Sequence, residues 1–161
     1  MTEFYVAFST ICFTLLGLWL VVVQTRHAEW RTSVPHQRRA YAVMLHFSLP
    51  GVMTLLSLVD PASSDLWRTA FAITAAGGAA VLILVLGSSP RGLALAAYAS
   101  AVLLYAVVCL IALAPDVVTY DGGPAPLRVE SALLTLLVFL GVNVAWALLF
   151  EPAPDTVRHS S

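Results

Sequence analysis

A histidine followed four residues later by a proline lies inside a long apolar run of this sequence. The run covers residues 41–59 and contains His46 and Pro50. Histidine exchanges a proton near neutral pH, and a proline inside a helix has no N–H to bond the carbonyl four residues back. Lipid can satisfy neither the imidazole nor the freed carbonyl, so we expect both residues to face a bundle interior. They form a candidate binding or gating element, although a packing kink is the more frequent explanation of such a pair.

Two other polar residues fall at a similar depth in their own apolar runs. Counted from the cytoplasmic ends of the runs, His46, Ser100 and Asn143 all lie roughly 7 to 11 Å below the membrane surface. We therefore predict a shared polar layer in which Asn143 is a hydrogen-bond partner of His46. The ligand or gating candidates from the sequence are His46, Pro50, Ser100 and Asn143.

Small residues recur at four-residue spacing in the third, fourth and last runs. Gly77 and Gly78 lie in the third run, and Gly141 precedes Ala145 in the last. Such faces allow helices to approach closely, so we predict that the three glycines lie on helix contacts, within the chain or between chains. In a chain this rich in alanine, composition alone explains the spacing equally well.

The elements that must position these residues are five apolar runs. They cover residues 4–23, 41–59, 66–86, 93–114 and 131–150, so each is 19 to 22 residues long. At 1.5 Å per residue such a helix crosses a hydrocarbon layer of about 30 Å. The whole chain is 60% hydrophobic and only 11% charged, which is outside the range of ordinary water-soluble domains. We predict an all-α, polytopic transmembrane bundle of five membrane-spanning helices over residues 1–150.

The segments between the runs predict the orientation. The first loop, the third loop and the C-terminal tail hold six of the eight arginines. The N-terminus with the second and fourth loops holds two, Arg68 and Arg128, when Arg68 at the membrane edge is counted with the second loop. The positive-inside rule then predicts an N-terminus outside and a C-terminus in the cytoplasm. We assign the fourth loop to residues 115–130 and expect residues 151–161, which are polar and rich in proline, to form a disordered cytoplasmic tail. We expect the protein to lie in a cell membrane, namely a bacterial plasma membrane.

No catalytic or cofactor motif is present in the sequence. It lacks GxSxG, HExxH and CxxC patterns, and Cys12 and Cys109 both lie in apolar runs. We therefore expect no cofactor and no metal site, and we lean against an enzyme. A net charge of −1 gives no basic field for nucleic acid.

Two classes of function remain. The first is a non-enzymatic membrane subunit or interaction protein, which the small-residue faces and the lack of charges in the middle of the runs favour. The second is an oligomeric channel or transporter for ions or small solutes, which the His46 element favours. The expected partners are the lipid bilayer and either further copies of the chain or another membrane protein.

Overall fold

The computed structural model describes residues 2–59, 64–86, 93–117 and 126–150, and these residues are helical almost throughout. The helices are α1 (Thr2–Thr25), α2 (His27–Trp30), α3 (Val34–Val59), α4 (Ser64–Leu86), α5 (Leu93–Leu113) and α6 (Pro126–Leu149), with a 3₁₀ turn at Pro115–Val117. No strand occurs within the described ranges. The predicted tail 151–161 lies outside them.

Five of the described helices are long and apolar enough to cross a membrane: α1, α3, α4, α5 and α6. Four of them begin earlier than the apolar runs did. The new starts are Thr2 for α1, Val34 for α3, Ser64 for α4 and Pro126 for α6, because polar residues and a proline are readily accommodated in the first turns of a helix. Large apolar side chains point outward around the bundle, as Ile73, Leu103 and Phe139 show with 69%, 65% and 66% exposure. A surface of this kind suits a hydrocarbon environment.

Helix α3 is the centre of the bundle. It packs against α1, α4 and α6, while α5 packs against α4 and α6. It is also the most buried of the five long helices. Three of the buried polar side chains among the described residues, His46, Thr54 and Ser57, belong to it, so the polar material inside the bundle is concentrated on its central helix.

Side-chain hydrogen bonds to backbone carbonyls tie the helix ends together. Tyr5 donates its hydroxyl to the Leu127 carbonyl at 3.3 Å, and Arg26 donates to the Leu149 carbonyl at 2.9 Å. These two bonds join α1 to α6 at both ends, and they show that the two helices run parallel. Arg68 of α4 donates to two carbonyls in the last turn of α5, where a helix leaves its acceptors unpaired.

The glycines differ in what surrounds them. A Cβ at Gly141 would lie 2.5 Å from the His46 Cβ, and one at Gly78 would lie 2.7 Å from the Leu49 Cδ1. Both glycines therefore allow α3 to approach a neighbouring helix closely. Gly77 is exposed, and nothing lies within 4 Å of the position that its Cβ would take. Adjacent residues of a helix point about 100° apart, so Gly78 faces inward and Gly77 does not. Gly77 therefore does not lie on a helix contact within one chain. Its contact with another chain stays a prediction.

Candidate functional site: a buried polar row

His46 lies at the centre of the bundle, where three helices meet. Its side chain is fully buried. The imidazole Nδ1 is 2.7 Å from the Ala42 carbonyl of the same helix, and the ring lies edge-on to Tyr105 of α5, with centroids 6.4 Å apart. Its other nitrogen, Nε2, is buried and has no hydrogen-bond partner among the described residues.

Polar side chains continue from His46 toward the end of α3. Pro50, Thr54 and Ser57 are all buried. The Thr54 hydroxyl donates to the Pro50 and Gly51 carbonyls at 3.0 and 2.9 Å, and the Ser57 hydroxyl donates to the Met53 carbonyl at 3.0 Å. Helix α3 continues through Pro50, and the Thr54 hydroxyl bonds the backbone beside it.

Glu130 is a second buried ionisable residue, and the sequence prediction missed it. The residue has no exposed surface, and neither carboxyl oxygen has a hydrogen-bond partner among the described residues. Tyr5 of α1 is close enough to interact with this carboxyl electrostatically. The Tyr5 hydroxyl, however, donates to the Leu127 carbonyl one turn earlier on α6, so it does not satisfy the carboxyl.

Glu130 lies on the face of α6 that packs against α3. It comes eleven residues before Gly141, a separation that returns to within about 20° of the same face and rises about 16 Å along the axis. Gly141 is the residue in contact with His46. Helix α6 is therefore turned so that Glu130 and the His46 contact share one interior stripe.

The two helices run in opposite directions, so the α3 residue level with Glu130 can be derived. The Trp19 indole of α1 bonds the Ala40 carbonyl, and Cys12 lies beside Gly51, so α1 is antiparallel to α3. Since α1 is parallel to α6, α3 and α6 are antiparallel. Eleven residues beyond His46 is Ser57, which is therefore about level with Glu130. The buried polar row consists of His46, Thr54, Ser57 and Glu130, passes the ring of Pro50 and extends over about 16 Å.

Two of the four residues predicted as ligand or gating candidates lie elsewhere. Ser100 and Asn143 are both exposed on the outside of the bundle. The Asn143 amide donates to the Phe139 carbonyl of its own helix at 2.7 Å, and the His46 Nε2 receives no bond from it. The predicted polar layer of His46 with Asn143 is therefore not formed within one chain. The ligand or gating roles of His46 and Pro50 remain predictions, although both residues do face the interior.

Glu130 was assigned to a loop because the apolar run begins one residue later. A signal that would have found it is Pro126, since proline is favoured in the first turn of a helix. A helix that starts there carries Glu130 in its second turn, on the same face as Leu134, Leu137 and Gly141.

The chemistry available to this row is proton binding and release. The His46 Nε2 and the Glu130 carboxyl, which have no hydrogen-bond partner in the described part of the chain, can exchange protons with each other only through intervening groups or water, because about 16 Å of helix separates them. Within the described ranges no group of three His, Cys, Asp or Glu residues is arranged to hold a metal ion. Comparisons of the chain with protein-family models, with curated proteins and with solved structures find no match.

Proposed function

We propose that this chain is a multi-pass integral membrane protein whose interior takes up and releases protons, and that this exchange serves a channel or transporter for protons or small cations. The observation that carries the proposal is the Glu130 carboxyl, which is fully buried, has no hydrogen-bond partner among the described residues and lies at one end of the polar row that leads to His46. An ionisable residue at such a position in a membrane bundle is costly and is a functional candidate for that reason.

The cost couples ionisation to movement of another species. An unpaired carboxylate in apolar surroundings costs several kcal/mol, in the range of about 3 to 5 when a buried ion pair is broken. Ionisation of Glu130 therefore requires a cation, a water molecule or a helix movement that supplies a partner. Such coupling of proton release to the entry of another species is the basis of proton-linked transport.

Proton flux in proteoliposomes tests this proposal. The purified chain is reconstituted with a pH-sensitive dye inside the vesicles, and a potassium diffusion potential supplies the driving force. We expect flux above that of empty vesicles, a loss to background in Glu130→Gln, and a changed pH dependence in His46→Ala. Glu3→Gln is the matched control, since Glu3 is an exposed acidic residue in the first turn of α1, and it should conduct like the wild type.

The transport proposal is wrong if the wild-type chain gives no more flux than empty vesicles. This comparison includes sodium and potassium gradients as well as protons. Equal loss in Glu3→Gln and Glu130→Gln would show that the assay reports general damage and would also count against the site.

The second candidate function is a non-enzymatic membrane subunit or interaction protein. The observation that favours it is Asn143, whose amide is exposed on the outer surface of α6 among apolar neighbours such as Phe139 and Trp146. Polar side chains on lipid-facing surfaces bond across helices of associated chains. With the native cysteines replaced, Asn143→Cys should cross-link to a second copy or to another membrane protein, and Leu103→Cys, exposed on α5, is the control. Absence of cross-linking at Asn143 argues against this face as an interface.

A further inference from the structure

We infer that the end of the bundle beside the α1–α3 connection binds an anionic diacyl phospholipid, with its phosphate held by Arg31 and Arg38 and its acyl chains in two cavities on either side of Tyr41. The inference concerns residues other than those of the polar row and is independent of the proposed function.

The first cavity lies between α1, α2 and the start of α3. It has a volume of about 380 Å³ and an apolar wall that includes Trp19, Leu20 and Met44, with Arg31 and Gln37 among its polar residues. Its size is within the range of small-molecule sites. Trp19 is fixed in place by the bond from its indole N–H to the Ala40 carbonyl, 3.0 Å long, and by contact with Trp30, with ring centroids 6.1 Å apart.

The second cavity lies between α3 and α4. It has a volume of about 480 Å³, and its apolar wall is formed by Val81, Leu84 and Val85 with Arg38 beside them. Gln37 and Tyr41 line both cavities. One surface therefore offers two apolar compartments that meet at Gln37 and Tyr41, a shape that matches two acyl chains joined at one headgroup.

The charges on this surface point to an anionic headgroup. The guanidinium groups of Arg31 and Arg38 make no hydrogen bond or ion pair with any described residue. Arg26, by contrast, is engaged with Glu29 and the Leu149 carbonyl. The Gln37 amide donates to the Arg31 carbonyl at 2.7 Å, which holds the α2 end close to the start of α3. Free guanidinium groups beside an apolar cavity match a phosphate above acyl chains.

Tryptophan fluorescence measures this binding directly. The chain has four tryptophans, so Trp67→Phe with Trp146→Phe leaves Trp19 and Trp30, both in the wall of the first cavity. This background is placed in phosphatidylcholine nanodiscs, and phosphatidylglycerol with brominated acyl chains is added in increasing mole fraction. We expect quenching at a much lower mole fraction of brominated phosphatidylglycerol than of brominated phosphatidylcholine.

Arginine variants identify the headgroup contact. A juxtamembrane arginine contributes about 1 kcal/mol toward an anionic lipid, so Arg31→Gln and Arg38→Gln should each raise the half-quenching mole fraction about fivefold. Arg128→Gln is the control, because Arg128 is an exposed arginine in the first turns of α6, at the opposite end of the bundle. It should leave the curve unchanged.

The remaining outcomes each overturn the inference. Equal quenching by the two brominated lipids means ordinary contact with the surrounding bilayer. Full competition by glycerol 3-phosphate means a site for free phosphate, and equal affinity for the monoacyl form of the anionic lipid means that the two cavities do not act together. The lipid comparison uses one protein throughout, so it stands even where an arginine variant fails to fold.

Discussion

Replacing Glu130 by leucine should stabilise the bundle, which is the opposite of what most substitutions of a fully buried residue do. The carboxyl has no exposed surface and no hydrogen-bond partner among the described residues. A buried polar group left without a partner costs about 1–3 kcal/mol, and leucine removes that cost with a side chain of similar size. We therefore expect Glu130→Leu to raise the free energy of unfolding.

The magnitude is set by the state to which the chain unfolds. In micelles the helices persist after unfolding and their polar groups find other partners, so hydrogen-bond contributions in membrane proteins average about 0.6 kcal/mol. The expected gain for Glu130→Leu is therefore about 1 kcal/mol, at the lower end of the range for buried unpaired groups. Glu130→Gln keeps the polar group in the same place and should differ from the wild type by less than about 0.5 kcal/mol.

Reversible unfolding in mixed micelles, with SDS as the denaturant and circular dichroism as the signal, measures these differences. Glu3→Leu is the control for general effects of removing a carboxylate, since Glu3 is exposed. A loss of about 1 kcal/mol or more in Glu130→Leu, with Glu3→Leu unchanged, would show that the carboxyl has a partner in the membrane and would refute the reasoning. A stabilised Glu130→Leu that also fails to conduct protons would show that the wild-type chain keeps a costly residue for its activity.

Two further predictions concern packing and orientation. Gly141→Ala places a Cβ against the Cβ of His46, so it should lose about 1–3 kcal/mol relative to Gly77→Ala, whose Cβ meets nothing within 4 Å; equal stability of the two variants in SDS titration would contradict the close α3–α6 approach. In a chain without its native cysteines, an impermeant maleimide applied to intact cells should label a cysteine at Ser63 and leave one at Ser160 unlabelled, as the arginine distribution predicts. The reverse pattern would invert the orientation, and partial labelling of both would indicate dual topology.

The helices were predictable from the sequence because their cause is local. A run of about 20 apolar residues has few alternatives to a membrane-spanning helix, and five helices long and apolar enough to cross a membrane are present among the described residues. The inward position of His46 and Pro50 was also predictable, because both leave polar groups that lipid cannot satisfy. Each of these inferences needs only the residues of one segment.

The positions of Asn143 and Ser100 were not predictable in the same way. Counting residues from a helix end gives depth in the membrane, but the direction in which a side chain points depends on how the helix is rotated against its neighbours. Asn143 bonds the carbonyl of its own helix, which lowers the cost of facing outward. Similar depth along the helices therefore led us to group His46, Ser100 and Asn143, which the fold places on different sides of the bundle surface.

Glu130 was missed for the converse reason. A glutamate close to prolines and glycines ordinarily lies in a solvated loop, and only the packing of α6 against α3, with Tyr5 of α1 nearby, encloses it. The hydrogen bond from Tyr5 to the Leu127 carbonyl joins residues 122 positions apart. No local sequence pattern therefore indicates that Glu130 is buried. The burial of Glu130, on which the site depends, thus results from tertiary contacts.

The packing around Glu130 also indicates where a partner for its charge would enter. On one side α6 is held closely against α3, because Gly141 lies beside His46 and Phe47. On the other side α6 and α1 are bonded at their ends by Tyr5 and Arg26, but they are not among the closely packed helix pairs. Separation of α1 from α6 therefore disrupts fewer contacts than separation of α3 from α6. Tyr5 bonds across the seam between α1 and α6, so we expect a partner for the Glu130 charge to enter at this seam rather than between α3 and α6.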